Sequence, residues 1–310
     1  MQTILGAGGT IGKYVAKALP KYTDEIRLIS RNPQKVNPGD ELVAADLLNA
    51  DQLKEAIRGS EVVYLTVGVP YRYKQWLIQW EMIMRNVIHA CKMTGAKLVF
   101  FDNVYPYGKV DGWMTEETPV NPNSRKGKIR ARVDEMLMHD IRKNKLQAII
   151  ARAADFYGPD TPNSFLNNMV IKKFLKGKKA AWLIDDSKKH SFTYTPDAGE
   201  ATALLGNTES AYNQVWHLPA DQNVLTGKEL IELAAETCSV EPKYSVLKES
   251  QLKMAGWFNP IVKETLELLY QFDSDYLFDS SKFDKAFDFK KTTYKEGIAA
   301  TVEWYKNQRK

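Results

Sequence analysis

Cysteine is nearly missing from this chain: its 310 residues hold two, Cys91 and Cys238. Two thiols cannot build a disulfide framework or a zinc site of the Cys-x-x-Cys kind. The four histidines, His89, His139, His190 and His217, stand at no metal-ligand spacing, so no metal is expected. No apolar run approaches the roughly 20 residues of a membrane span. Met1-Gln2-Thr3-Ile4-Leu5 runs straight into a glycine cluster, which leaves no room for a signal peptide. A cytoplasmic location with no membrane partner is the expectation. Neither sign of charge dominates, with 43 Lys+Arg against 38 Asp+Glu. The net +5 permits an anionic ligand but gives no reason to expect nucleic acid. A Gly-x-Ser-x-Gly elbow and a lysine-bearing P-loop are both lacking. Adjacent acids occur at Glu116-Glu117 and Asp185-Asp186, but neighbours on an extended chain point apart.

What is present is an ordinary globular composition, 44% hydrophobic and 26% charged, on a length suited to one large or two packed domains. Apolar β-prone stretches at 3–5, 25–30, 42–45, 62–67, 97–101 and 147–151 alternate with segments of helical period at 11–19, 50–58, 76–94 and 124–143. Such alternation predicts βαβ units. The continuous apolar runs V-V-Y-L-T-V and L-V-F-F predict strands covered on both faces. The fold class is therefore α/β, a Rossmann-type doubly wound parallel sheet with a smaller, mostly helical C-terminal substrate lobe. Residues 1–155 form the first domain and 156–310 the second, the chain being free to weave back into the sheet. In the second part, helices are expected at 164–176, 196–205, 227–237, 260–272 and 295–308. Strands are expected there at 180–184, 192–194 and 215–218. No internal repeat is visible.

The first strand leads into Leu5-Gly6-Ala7-Gly8-Gly9-Thr10-Ile11-Gly12. Glycines at 6, 9 and 12 supply a tight turn, a backbone able to approach a pyrophosphate, and close helix–sheet contact. A glycine-rich turn without a ligand is the plain alternative, and the position between strand and helix argues against it. The second strand ends in Ser30-Arg31-Asn32-Pro33, with no acid for adenosine ribose hydroxyls. Arg31 can pair with a 2′-phosphate through its planar fork and Ser30 can add a hydroxyl, which favours NADP(H) over NAD; a solvated loop arginine is the alternative. Asp46 and Leu47 after the third strand, and Val67 and Gly68 after the fourth, complete the expected cofactor site. Asp46 serves the adenine there, or else merely caps the next helix.

With G-A-G-G-T-I-G at 6–12, A-A-D-L at 44–47, V-Y-P-Y-G at 104–108, R-A-A-D-F-Y-G-P at 152–159, H-S-F-T-Y-T-P-D-A-G-E-A at 190–201 and V-W-H-L-P-A at 215–220, the chain resembles the extended short-chain dehydrogenase/reductases, in their NAD-dependent epimerase/dehydratase-like branch. The resemblance spans nearly the whole length. It implies a Rossmann domain with a nicotinamide cofactor, a C-terminal substrate lobe and a homodimer through the two long helices. It also implies a Tyr-x-x-x-Lys pair and a Ser or Thr after the fifth strand, and here the chain departs from the pattern. Aligned on Tyr107-Gly108, the Ser/Thr position holds Asn103. Aligned on Glu135, the Tyr and Lys positions hold Gly127 and Ala131; shifts by one give Lys126 and Arg130, or Lys128 and Arg132. No register yields a tyrosine, and Trp80 stands near the place of the family's helical asparagine.

Replacement chemistry is available. Asn103 can donate an amide N–H to a carbonyl or oxyanion, and Tyr105 is the nearest phenol. Residues 126/130 and 128/132 each present a cationic pair on one helix face, so Lys126 and Lys128 join Asn103 and Tyr105 as catalytic candidates. The alternative for this stretch is a solvated basic face. Tyr71, Trp76, Trp80, Tyr107, Phe156 and Tyr157 follow strand ends and are expected to line a substrate pocket, or to bury an interface. Arg152 binds an anionic substrate group or is a satisfied structural arginine. Two functions fit. One is an NADP(H)-dependent oxidoreductase or epimerase-like enzyme acting on the carbonyl or hydroxyl of a small, sugar-nucleotide-like molecule. The other is a non-catalytic NADP(H)-binding protein that reports cofactor state to a partner.

Overall fold

The computed structural model describes residues 1–308, so the last two residues of the expected C-terminal lobe lie outside the described ones. Its central element is a seven-stranded, all-parallel sheet. The first five strands are β1 (Gln2–Leu5), β2 (Ile26–Ser30), β3 (Glu41–Ala44), β4 (Val62–Leu65) and β5 (Lys97–Asn103). Across the sheet the order runs from Gln214–His217 through Ala148–Ala153, β5, β4 and β1 to β2 and β3. Strands β1 and β4 and the strand Ala148–Ala153 are buried along their whole length, and β4 reads as an unbroken apolar run for that reason.

Helices α1 (Thr10–Ala18), α2 (Ala50–Ala56), α3 (Tyr73–Thr94) and α4 (Arg125–Arg142) follow β1, β3, β4 and β5. Local chemistry sets their ends. The Asn49 side chain accepts from the Gln52 N–H at 3.0 Å and starts α2. Gly95, at φ 74°, closes α3 in the left-handed conformation. The buried face of α3, including Trp76, Trp80, Met84, Val87 and Cys91, shares a core with Ile129, Val133 and Leu137 of α4 and with the sheet.

Two compact units interleave along the chain. The first comprises 1–106, 125–153 and 198–218; the second comprises 107–124, 154–197 and 219–310. The expected division at 155 falls two residues from the change at 153/154, while 107–124 and 198–218 cross in opposite senses. Strand Gln214–His217 forms the far edge of the main sheet. The second unit holds three two-stranded parallel sheets besides its helices. Its core gathers Tyr157, Leu166, Trp182, Phe192, Leu230, Tyr294 and Ile298. Where one helix is expected at 260–272, Pro260–Thr265 is followed by a tighter turn, Leu266–Gln271. The helix Glu249–Phe258 and the strand Tyr244–Leu247 were not legible in the sequence, because their mixed exposed and half-buried pattern carries no clean period.

Candidate functional site

The glycine turn is shaped by contacts that leave no room for side chains. Gly6 sits at φ +90°, and a Cβ there would stand 2.5 Å from Val67 Cα. At Gly12 a Cβ would lie 2.7 Å from the Gly6 carbonyl oxygen, so the start of α1 presses against the turn. Gly8 is different: it is exposed, and a Cβ there would meet nothing within 4 Å. Gly9 is the N-cap of α1, and no side chain caps the helix's first turn, which also carries no acid. A helix start of this kind presents N–H groups and positive potential to an anion. The residues therefore fit a dinucleotide: two glycines are required by the fold, and a third keeps open the face where a pyrophosphate would lie. Thr10 is half-buried and Ile11 buried in the same turn.

Around this turn, Ser30 Oγ accepts from the Asn32 N–H at 3.2 Å, and Arg31 is exposed at the end of β2. Asp46 is exposed and shapes its own turn, accepting from the Leu48 N–H at 3.1 Å, while Leu47 is buried. Val67 and Gly68 follow β4 directly, and Thr66 at its end donates to the Leu5 carbonyl.

At the end of β5 the chain carries charge into the core. Asp102 accepts from Arg130 Nε at 2.8 Å and from Arg130 Nη2, and from Arg152 Nε at 3.0 Å. Arg152 Nη2 also bonds Asp134. All four groups are buried. The Arg130 guanidinium lies 4.1 Å from the Trp80 ring and 4.7 Å from Phe100, so it is stacked as well as paired. Burial, with the charge of Asp102 behind it, pushes the Asp134 carboxyl well above the usual carboxylate range. Its Oδ1 has no hydrogen-bond partner.

This network decides which face of α4 turns inward. Lys126 and Arg130 are buried, whereas Lys128 and Arg132 are exposed, with Arg132 3.3 Å from Glu81. Lys128 is therefore corrected from catalytic candidate to surface residue, because it lies two positions from Lys126 on the opposite side of the helix. Lys126 lies with its Nζ 4.6 Å from the Tyr71 ring centre, and Arg125 covers Tyr73 at 4.3 Å. Arg152 is likewise corrected: its fork is committed to two buried aspartates, so it is the structural arginine and not a pocket residue.

Asn103, half-buried, ends β5 and accepts the Tyr105 N–H on its Oδ1 at 3.0 Å, so its oxygen is engaged locally and its remaining polar atom is the amide donor Nδ2. Tyr105 stacks on Trp76 at 6.4 Å with 24° between planes, and Trp76 meets Trp80 edge-on at 5.9 Å. Both indole N–H groups are buried without a partner. Trp80 is a core residue beneath Arg130, and a pocket wall there is ruled out by that cover. In the second unit Tyr107 and Tyr157 are 1% exposed. Tyr157 packs on Phe192, Tyr194 and Tyr294, so both tyrosines are corrected to core. Tyr71 and Phe156 keep partial exposure. The residues the sequence reading missed are Asp102 and Asp134. Their signals were a charge inside the apolar strand F-F-D-N and an acid four residues after Arg130.

No group of three or more metal-ligating side chains exists among the described residues, and no described helix is long and apolar enough to cross a membrane.

Comparison with known proteins adds the following. A family model described as the NAD dependent epimerase/dehydratase family matches residues 3–216. A trifunctional UDP-glucose 4,6-dehydratase/UDP-4-keto-6-deoxy-D-glucose 3,5-epimerase/UDP-4-keto-L-rhamnose-reductase of Arabidopsis thaliana is 23% identical over 97% of this chain and 46% of its own length. The chain thus spans about half the length of that relative. Among solved structures, UDP-glucuronic acid 4-epimerase from Bacillus cereus in complex with NAD superposes with a TM-score of 0.81 at 18% identity, covering all of both chains. A dTDP-glucose 4,6-dehydratase double mutant from Streptomyces venezuelae superposes at 0.80 and 18% identity, covering 100% of this chain and 98% of that one.

Proposed function

The chain belongs to the NAD dependent epimerase/dehydratase family, and from that premise we propose that it is a nicotinamide-dependent enzyme of atypical proton chemistry, acting on a hydroxyl or carbonyl carbon of a sugar-nucleotide-like substrate. The observation that carries this reading is the inward face of α4. The register that places a cation pair inside is Lys126 and Arg130, and Arg130 is tied to Asp102, the residue before Asn103. A buried lysine in the first turn of α4 and an amide donor at the end of β5 suit a developing oxyanion. The bound nicotinamide would supply the hydride chemistry. Asn103 Nδ2 polarises the substrate oxygen, Lys126 holds a ribose hydroxyl or that oxygen, and Tyr105 is the nearest phenol for proton exchange. Arg31 and Ser30 recognise a 2′-phosphate, so NADP(H) is the preferred cofactor. The exposed Leu77, Ile78 and Met82 of α3 support a homodimer through that helix.

The test is twofold. Calorimetry with NADP⁺ and NAD⁺ should show preference for NADP⁺, lost in Arg31→Ala. Chromatographic product analysis with UDP-glucose or dTDP-glucose, which reads a redox-neutral turnover as well as a net oxidation, should show turnover in the unmodified chain and little in Lys126→Met. Undiminished turnover in Lys126→Met together with Asn103→Ala would sink the assignment of roles. The stacking of Tyr105 on Trp76 favours a second reading, a non-catalytic NADP(H)-binding reporter, because it commits that phenol to packing. A reporter must bind NADP⁺ and NADPH with different affinity and change its partner binding accordingly. Equal affinities would remove that reading.

A further inference from the structure

The three most exposed large apolar side chains among the described residues, Trp257, Phe258 and Ile261, lie on one helical hairpin of the second unit. Helix Glu249–Phe258 stops at Asn259, whose side chain accepts from the Ile261 N–H at 2.9 Å and starts Pro260–Thr265. A Cβ on Gly256 would stand 3.3 Å from Lys263 Cα, so the two short helices pack closely. What such a hairpin cannot bury is carried outside: Met254, Trp257, Phe258 and Ile261 are 57%, 81%, 84% and 69% exposed. Met254 and Phe258 are four residues apart on one helix face, as are Lys253 and Trp257.

Charge surrounds this patch unevenly. Lys248, Lys253 and Lys263 are exposed; Glu249 pairs with Lys253 at 2.7 Å, and Glu264, directly after Lys263, is half-buried. We propose that the hairpin tip is a wedge that docks on an anionic lipid bilayer surface. An apolar group that includes tryptophan and phenylalanine suits the headgroup–acyl boundary. The flanking lysines supply the second signal that interfacial binding needs. A second copy of the chain fits less well, since a two-fold contact through this patch would bring lysines against lysines. The proposal does not depend on the reaction assigned above. It replaces the expectation of no membrane partner. That expectation followed from the lack of a spanning run of about 20 residues, whereas an interfacial wedge needs only a few side chains.

The test is co-sedimentation of the full chain with two vesicle types, phosphatidylcholine alone and equimolar phosphatidylcholine with phosphatidylglycerol. Binding is expected to the anionic vesicles and to fall with added salt. Trp257→Ser with Phe258→Ser should weaken it by about tenfold or more, while Lys253→Gln with Lys263→Gln should weaken it and flatten its salt dependence. Because all four residues are exposed, both variants should keep the melting temperature of the unmodified chain, and the melt is recorded alongside. A chain left in the supernatant with both vesicle types overturns the proposal, as does equal binding by the Trp257/Phe258 variant. Equal binding to neutral vesicles overturns the anionic assignment. Concentration-dependent association that the same variant abolishes, without vesicle binding, gives the patch to a second copy.

Discussion

The buried quartet of Asp102, Arg130, Asp134 and Arg152 makes two substitutions diverge in a way that simple loss of contacts would not. Asp102→Asn keeps the shape but removes the charge that three guanidinium N–H groups address. Two arginines then share Asp134, leaving one surplus positive charge that arginine cannot shed in a protein. Breaking a buried pair on one side costs about 3–5 kcal/mol, and this loss should appear in urea unfolding. Arg130→Met preserves much of the volume over Trp80 and Phe100 and leaves one surplus negative charge. That charge can be relieved, because the Asp134 carboxyl is already pushed upward by burial and by Asp102. A group whose folded pKa is raised contributes stability that is complete below its unfolded value, about 3.9 for aspartate, and that is lost as pH rises through the folded value. Removing Arg130 raises the folded value further, so the deficit of Arg130→Met should grow as pH rises past the folded value of the unmodified chain. In Asp102→Asn the repelling charge is gone and Asp134 ionises more readily, so that deficit should not grow with pH. Parallel pH profiles for the two variants, or a cost under about 1 kcal/mol for Asp102→Asn, would refute the account of the quartet as a closed charge balance.

Other substitutions separate fold from binding. Gly6→Ala should lower the melting temperature, because the added carbon meets the Val67 backbone at 2.5 Å; Gly8→Ala should leave it unchanged yet weaken nicotinamide dinucleotide binding, as calorimetry would read. If both alanines weaken binding only through lost stability, the phosphate role of the turn fails. Thr226 caps the helix Gly227–Cys238 reciprocally with Glu229, so Thr226→Ala should cost about 1 kcal/mol in unfolding experiments. Asp134→Asn should flatten the decline in stability that this carboxyl imposes as pH rises above about 4. An unaltered pH slope in that variant would show that Asp134 titrates normally.

The parallel sheet was legible because its evidence is local and repeated. Runs such as V-V-Y-L and L-V-F-F read as strands covered on both faces. The turn at Gly6–Gly12 was legible because its glycines recur at the offsets that a strand-to-helix turn imposes. The helix expected at 164–176 is present at 165–175 with one wide turn, Asn167–Ile171, inside it, whereas the one expected at 260–272 tightens after Thr265 into Leu266–Gln271. The aromatic side chains misled more than any other class. Tyr157 and Trp80 follow strand ends or sit near a family position, yet their surroundings bury them, and sequence offset alone cannot tell a cleft wall from a core.

The sequence by itself determined the strand–helix alternation and the glycine turn, and it left three possible registers for α4. Each of these is written in residues close along the chain, where hydrophobic period and glycine offsets act. Only the tertiary structure showed which cationic pair of α4 is buried and turned Arg152 from a candidate ligand into a core residue. It also sent 198–218 back to complete the sheet. Those outcomes rest on charges distant in sequence, Asp102 with Arg130 and Arg152 with Asp134, that must neutralise one another once the fold takes them out of water. Such a requirement exists only in the packed core, so no local pattern records it.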